Sequence, residues 1–196
     1  LRKCISAKPY RLIEHLAALD GWRTRYYPLD YQVGDGSLPP GREPRTLLRG
    51  VPTQEGGWRI DCEALAAAIT PATRAIAVIH PHNPTGWMAR SPDAHFLLET
   101  CEKRGLALIA DEVFLDYAKD EAKPRAQSFA AHEVSALTFT LGGLSKGSGL
   151  PQLKLGWIHT GGPAKLAEAA QERLDFIADA YLSAATPAQA ALPQLL

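Results

Sequence analysis

The 196-residue sequence has few cysteines, no excess of charge of either sign and no long hydrophobic run. Its 21 basic and 21 acidic residues give a formal net charge of zero, which argues against nucleic acid or an anionic membrane surface as a partner. No apolar stretch approaches the roughly 20 residues that a membrane-spanning helix requires. Three cysteines without metal-ligand spacing indicate free thiols in a reducing cytoplasm.

The length and composition are those of a globular protein with a substantial core. With 46% hydrophobic and 21% charged residues, the chain can form one domain or one domain and part of another. Its first residues, Leu-Arg-Lys-Cys, are not followed by an apolar segment and include no initiator methionine. We therefore expect no secretory signal, and we expect the chain to begin within a longer sequence.

Apolar runs alternate with helical patterns along the chain. Three runs rich in Ala, Ile, Val and Leu predict buried strands, at residues 75–79, 106–110 and 136–140. An aromatic run predicts a further strand at residues 22–27. Amphipathic patterns predict helices around these strands, at residues 9–19, 61–69, 91–105 and 163–196. The alternation is typical of βαβ units and predicts an α/β fold with a mostly parallel sheet.

Two of these helices carry specific end signals. Asp61 can cap the first turn of its helix. Ser91, Pro92 and Asp93 supply a capping side chain, a proline in the first turn and an acid near the positive end of the dipole. Gly105 favours a left-handed stop for the same helix. These signals predict where the two helices begin and end.

Three polar residues follow three of the predicted strands. Asn83 comes after the run at 75–79, Asp111 closes the run at 106–110, and Lys146 comes after the run at 136–140. In open α/β sheets the carboxyl ends of the strands form the edge where ligands bind. An amide, a carboxylate and an amine converging there predict a cofactor site.

A lysine amine can form a Schiff base with an aldehyde. If that aldehyde belongs to pyridoxal phosphate, a carboxylate should hold the ring nitrogen protonated, and Asp111 is the candidate. An amide should fix the phenolic oxygen, for which Asn83 is suited. Lys154 can bind the phosphate as a point charge, and Tyr10 can pack against the ring. Lys146 would then carry the Schiff base.

Several motifs in this order resemble the class I/II aminotransferases. They are Asn-Pro-Thr-Gly at 83–86, Asp-Glu-Val-Phe at 111–114, Leu-Ser-Lys at 144–146 and Gly-Leu-Pro-Gln-Leu-Lys-Leu-Gly-Trp at 149–157. The resemblance covers nearly the whole chain and implies a pyridoxal-phosphate enzyme with the fold-type-I large domain, a three-layer αβα structure. It also implies amino-acid and 2-oxo-acid substrates and a homodimer in the full-length protein.

The resemblance assigns a role to each candidate residue. It implies that Lys146 carries the Schiff base and moves the proton between the substrate α-carbon and the cofactor. It implies that Asn83 contacts the phenolic oxygen and that Asp111 pairs with the pyridinium nitrogen. Lys154 takes the place of a phosphate-binding arginine, and Tyr10 falls where relatives have the ring-stacking aromatic residue.

The sequence also departs from the family pattern. Phe114 stands where many relatives have a tyrosine that donates to the phenolic oxygen, and Gly142 and Gly143 precede the lysine motif where relatives commonly have a serine. The Gly-, Pro- and Arg-rich stretch at 34–57 predicts a long surface loop or insertion.

Family segments are expected on both sides of the chain. A phosphate-binding loop should precede it, and a small domain with the arginine for the substrate carboxylate should follow. We therefore expect residues 1–162 to form a partial large domain and residues 163–196 a long helix leading towards the small domain.

Other readings remain open. The same scaffold can carry a decarboxylase or a carbon–sulfur lyase, or serve as the cofactor-sensing domain of a transcription regulator. A non-catalytic fragment is a further alternative. His80, His82 and Glu112 are predicted to be structural, with no third metal ligand at suitable spacing near the two histidines. The predicted site therefore includes no metal. Trp87 and Trp157 are predicted to pack in the core.

Overall fold

The computed structural model describes residues 2–7, 11–32, 57–117, 127–132, 134–181 and 184–196. The chain divides into two compact units, residues 1–78 with 82–87 and residues 79–81 with 88–196. Each unit contains both strands and helices. Tyr10 and nearly all of the predicted loop at 34–57 lie outside the described residues.

The first unit is a set of parallel strands with two helices and a separate strand pair. The elements are β1 (Lys3–Ala7), α1 (Arg11–Leu19), β2 (Arg23–Tyr27), β3 (Leu29–Gln32), β4 (Gly57–Ile60), α2 (Cys62–Ala68) and β5 (Thr73–Ile79). Strand β1 pairs in parallel with β2 and also with β5, whereas β3 and β4 pair antiparallel. Helices α1 and α2 pack against β2.

The core of the first unit follows from its apolar residues and from one cap. Ile5, Ile76 and Val78 on the paired strands are fully buried, as is Leu65 on α2. The backbone N–H of Ala64 donates to the Asp61 carboxylate over 2.8 Å, so Asp61 caps α2 as predicted. The predicted strands at 22–27 and 75–79 are confirmed as β2 and β5.

The second unit has parallel strands that end in an antiparallel edge. The elements are α3 (Ser91–Arg104), β6 (Ala107–Asp111), β7 (Thr138–Gly143), β8 (Gly156–Gly161), α4 (Ala164–Ala180), α5 (Thr186–Leu195) and the 3-10 turns Leu115–Tyr117, Phe129–Ala131 and Pro151–Leu153. Strand β6 pairs in parallel with β7, and β7 pairs antiparallel with β8. Helix α3 packs against β6, and α4 packs against β8.

Helix α3 begins and ends near the predicted residues. Gly105 has a left-handed φ of 61° and ends the helix as predicted. At the other end, Arg90 is the N-cap, and its backbone N–H donates to the Asp93 carboxylate over 3.0 Å. Ser91 is the first helical residue and not the capping residue, because the helix begins at Ser91 and the N-cap position falls on Arg90.

Four strands (β1, β3, β4 and β8) and one helix boundary differ from the sequence prediction. Strand β1 has no apolar alternation and β8 is exposed along most of its length, so hydrophobic patterning indicated neither. The predicted long helix over 163–196 is wrong: α4 ends at Ala180, and α5 starts at Thr186. Pro187 supplies the reason, because proline favours the first turn of a new helix and disrupts the interior of a continuing one.

Helix α4 is exposed on all sides along its C-terminal half. Phe176, Ile177 and Tyr181 are all exposed there, Phe176 by 78%. The only buried residue of the helix is Ala170. Across the described residues, no helix is long and apolar enough to span a membrane.

Candidate active site

The second unit brings the ends of β6 and β7 and the start of β8 to one edge. Asp111, the last residue of β6, is in register with Leu141 of β7. Gly143, the last residue of β7, faces Gly156, the first residue of β8. The chain after Gly143 and the chain before Gly156 therefore leave the sheet at the edge that also holds Asp111.

The carboxyl group of Asp111 is partly desolvated by burial. The side chain is half-buried and accepts a long hydrogen bond of 3.3 Å from the backbone N–H of Val113. Burial raises the pKa of the Asp111 carboxyl, and the hydrogen bond from Val113 offsets this only in part. The backbone around it is fixed, because the N–H of His80 donates to the Asp111 carbonyl over 2.8 Å.

Residues 144–149 form the lysine turn, which carries Lys146 away from β7. Its base is fixed by Leu144, whose N–H donates to the Leu155 carbonyl over 3.0 Å and whose carbonyl accepts from Leu150 over 3.0 Å. Leu144 is fully buried and packs with Leu155 and Ala188, so α5 supports the turn. The Ser148 hydroxyl also donates to the Leu195 carbonyl over 3.1 Å.

The Lys146 side chain itself is exposed. Its ammonium lies 5.6 Å from the centroid of the Phe114 ring, within the range of a cation–π contact. The structure thus gives Phe114 a contact with the amine at the position where a tyrosine is common in the family. The turn thus presents an exposed amine on the chain that leaves the sheet at the edge where the half-buried Asp111 carboxyl lies.

Lys154 lies at the same edge, two residues before β8. It ends the 3-10 turn Pro151–Leu153 with a left-handed backbone, φ 51° and ψ 36°. Among the described residues it is the single non-glycine residue with a positive φ. A left-handed backbone at a non-glycine residue is strained and persists only where the surrounding structure holds it. Such positions are common at ligand-binding sites. The Lys154 side chain is exposed.

Gly142 allows an indole ring to lie across the edge. A Cβ atom on Gly142 would overlap the ring of Trp157, which faces it on β8. Trp157 is 40% exposed, so the prediction that it packs in the core is wrong. The reason is that β8 is exposed from Gly156 to His159.

Asn83 belongs to the first unit, in the proline turn of residues 82–87. The turn closes through its own atoms: the Gly86 N–H donates to the His82 carbonyl over 2.7 Å, and the His82 N–H donates to the Trp87 carbonyl over 2.7 Å. The His82 ring and the Thr85 hydroxyl share a hydrogen bond of 2.8 Å. The turn leaves the Asn83 side chain exposed.

The remaining polar candidates have structural contacts. His80 is fully buried, accepts from the Ala89 N–H over 3.0 Å, and packs edge-on against Phe129 with 5.3 Å between centroids. Burial lowers the pKa of His80 to about 4. Glu112 is buried and accepts from the Phe129 N–H over 2.7 Å, and burial raises its pKa. These contacts agree with the structural roles predicted for His80 and Glu112.

The structure therefore gathers three of the five predicted site residues in the second unit: Asp111, Lys146 and Lys154. Asn83 lies in the first unit, and Tyr10 lies outside the described residues. Sequence reasoning missed Tyr117, whose hydroxyl donates to the Lys146 carbonyl over 3.0 Å. No sequence signal links the two residues, because 29 positions separate them along the chain.

Comparisons with known proteins identify the family. The sequence profile described as "Aminotransferase class I and II" matches residues 45–196. The glutamate-pyruvate aminotransferase AlaA of Escherichia coli K12 is 33% identical over 143 residues, which cover 73% of this chain and 35% of AlaA. The arginine–pyruvate transaminase AruH of Pseudomonas aeruginosa is 35% identical over 150 residues, covering 72% of this chain and 36% of AruH.

A solved aminotransferase from Escherichia coli has the same fold. It superposes with a TM-score of 0.76 at 27% sequence identity, covering 96% of this chain and 41% of that one. The match confirms the predicted α/β class with a mostly parallel sheet and flanking helices.

The chain belongs to the aminotransferase class I and II family. It spans about a third of the length of the curated relatives it matches.

Proposed function

We propose that the protein to which this chain belongs is a pyridoxal-phosphate-dependent aminotransferase with Lys146 as the point of covalent attachment. The observation that carries the proposal is the edge shared by Asp111, the lysine turn and Lys154. A carboxyl group, a free amine and a second ammonium there match three of the polar groups that this cofactor presents, which are the ring nitrogen, the aldehyde and the phosphate.

The state of Asp111 supports the fit to this cofactor. Its carboxyl is desolvated, and its pKa is raised because the Val113 N–H offsets burial only in part. A protonated ring nitrogen beside it would stabilise the ionised form and lower that pKa. The carboxylate would in return keep the ring nitrogen protonated. The Lys146 amine is exposed, so an aldehyde can reach it.

Each residue would have a distinct task. When bound, pyridoxal phosphate supplies an electron sink that stabilises negative charge on the substrate α-carbon. Lys146, released from attachment by the incoming amino acid, would accept the α-proton and return it. Lys154 would hold the phosphate, Asn83 would donate to the phenolic oxygen, and Tyr10 would pack on the ring.

For the substrates, we propose an amino acid and a 2-oxo acid, with alanine and pyruvate as the first pair to test. The names of the relatives support that choice, since glutamate-pyruvate aminotransferase and arginine–pyruvate transaminase share pyruvate. A homodimer in the cytoplasm is part of the same proposal. Cys4 and Cys101 are buried free thiols, which supports a reducing compartment. Residues 1–162 would form part of the cofactor-binding domain, and residues 163–196 would lead towards a second domain.

A half-reaction tests the proposed activity. Full-length protein loaded with pyridoxal phosphate is mixed with alanine in the absence of any 2-oxo acid. Transamination should release one equivalent of pyruvate per site, with the amino group retained on the enzyme. Release of carbon dioxide would indicate a decarboxylase. Alanine has no leaving group on its β-carbon, so a lyase is tested separately with cysteine, from which elimination would release hydrogen sulfide, ammonia and pyruvate. Either result would overturn the proposal, as would the absence of any reaction with alanine, glutamate or arginine.

A further inference from the structure

The segment that follows Asp111 contacts the lysine turn at three points. The Tyr117 hydroxyl donates to the Lys146 carbonyl over 3.0 Å, and the Phe114 ring lies 5.6 Å from the Lys146 ammonium. The Asp116 carboxylate lies so close to Gly147 that a Cβ there would be 2.5 Å from its Oδ2 atom. Residues 114–117, here called the clamp, thus contact two neighbouring residues of the turn, Lys146 and Gly147.

The clamp is anchored to the buried part of the second unit. Its 3-10 turn closes through the Leu115 N–H, which donates to the Glu112 carbonyl over 2.9 Å, and the Tyr117 N–H, which donates to Phe114 over 3.0 Å. The Phe114 and Tyr117 rings pack edge-on with 6.0 Å between centroids. Glu112 is itself fixed by the Phe129 N–H at 2.7 Å. The Tyr117 hydroxyl therefore approaches the lysine turn from a fixed base.

The Lys146 carbonyl accepts two hydrogen bonds. One comes from the Tyr117 hydroxyl, and the other comes from the Gly149 N–H within the turn over 3.1 Å. A carbonyl oxygen has two lone pairs, so both are used. Two donors fix the peptide plane that follows Lys146, and this plane limits the directions in which the long, flexible side chain can extend. Such restriction raises the effective concentration of the amine at its target.

We propose that Tyr117 is a positioning residue for Lys146, acting through the Lys146 carbonyl, and that Asp116 and Gly147 complete the contact. The proposal rests on the proposed function, because positioning matters only if the Lys146 amine condenses with an aldehyde. Tyr117 does not touch the reacting atoms in this arrangement. Its loss should slow covalent attachment without abolishing it.

The test compares Tyr117→Phe with Tyr181→Phe in the full-length protein freed of cofactor. Tyr181 is 81% exposed on the last turn of α4, so its hydroxyl serves as a matched control. Pyridoxal phosphate is added, and borohydride stops the reaction at set times. Condensation releases one water, and the hydride reduces the C=N bond to a stable amine. Peptide mass spectrometry then gives the labelling rate at Lys146.

Tyr117→Phe should slow labelling of Lys146 about fivefold, the factor that corresponds to one ordinary hydrogen bond. Tyr181→Phe should label at the wild-type rate. Hydrogen exchange at the Gly149 amide, measured without cofactor, should be about fivefold faster in Tyr117→Phe, because this N–H shares the same carbonyl. Equal labelling rates in wild type and Tyr117→Phe would overturn the proposal.

The two proposals fail in distinguishable ways. If wild-type protein is not labelled at Lys146, the proposed function fails, and the Gly149 exchange rate alone decides whether Tyr117 orders the turn. Unchanged exchange would then overturn the inference as well.

A second pair of variants tests the contact between Asp116 and Gly147. Gly147→Ala should slow labelling because its Cβ displaces the Asp116 carboxylate. Adding Asp116→Ala should restore the rate at least in part. No rescue by Asp116→Ala would contradict this part of the proposal.

Discussion

The proline turn and the lysine turn both follow strands and both carry a family motif, but they are held in different ways. The proline turn closes on itself, through His82, Thr85, Gly86 and Trp87. The lysine turn depends on residues far away in sequence, such as Tyr117, Leu155 and Leu195. The difference indicates that the first turn is a local structural unit, whereas the position of the lysine is set by the packing of the whole second unit.

The largest effect should come from Asp111, beside the lysine turn. Asp111→Ala should lower turnover by about 10²–10³-fold, since an electrostatic partner of the cofactor is lost. Stability should not fall, because burial already disfavours the ionised carboxyl in the folded state. Asp179→Ala, at an exposed position on α4, is the control. Turnover within a factor of two of wild type would contradict the role of Asp111.

The next effect concerns His80, which joins β5 to the proline turn. Its pKa is lowered by burial to about 4 from an ordinary value of 6.5, so between these values the unfolded chain binds the extra proton. Stability should therefore fall as the pH drops below 6.5, by about 2.5 kcal/mol at pH 4.5.

Denaturant unfolding of the full-length protein at pH 7 and pH 4.5 measures the effect of His80. Because Asp111 and Glu112 have raised pKa values and act in the opposite direction, the comparison is made against His80→Asn. Between pH 7 and pH 4.5, the free energy of unfolding of His80→Asn should fall by about 2.5 kcal/mol less than that of wild type. An equal loss in both proteins would refute the assignment to His80.

A smaller effect tests whether the proline turn is local. Thr85→Val removes the hydroxyl that bonds to the His82 ring and accepts from the Trp87 N–H over 3.2 Å. The free energy of unfolding should fall by about 1–2 kcal/mol, since these groups lose their partners. Exchange at the Gly149 amide should stay unchanged, because the lysine turn uses other contacts. Altered exchange there would show that the two turns are coupled.

Two glycines give the smallest effect and a matched pair. Gly86 has φ 68° and Gly149 has φ 63°, and in both cases a Cβ would meet no atom within 4 Å. Alanine at either position should cost about 1 kcal/mol from backbone strain alone. Equal losses of unfolding free energy, measured by thermal or denaturant unfolding, would show that the two turns require the same backbone conformation at their glycines. A much larger loss for Gly149→Ala would reveal a contact in the lysine turn that sequence spacing does not suggest.

The sequence predicted the features that depend on near neighbours. Asp61 and Gly105 mark helix ends because capping acts over one turn of chain. The apolar runs of β5, β6 and β7 identify strands because nearly all of their residues are buried or half-buried. Lys146, Asp111 and Lys154 were identified from the order of their motifs, and strand register then brings them to one edge.

Features that depend on distant contacts were not predictable. Strand β8 is exposed, and its pairing with β7 gives no hydrophobic signal in the sequence. Trp157 is half-exposed because β8 is exposed, and its ring lies across Gly142 of the paired strand β7. The sequence cannot reveal either feature without that pairing. The hydrogen bond from Tyr117 to Lys146 joins two turns that come together only when β6 and β7 pair.

The central claim is that Lys146 is the attachment point of pyridoxal phosphate. The most direct measurement is reduction of the full-length holoprotein with borohydride, followed by digestion and mass spectrometry of the peptides. The account predicts one cofactor-derived mass per chain, located on Lys146, and no label on Lys154 or Lys165. A label on another lysine, or no label after loading with pyridoxal phosphate, would contradict the account.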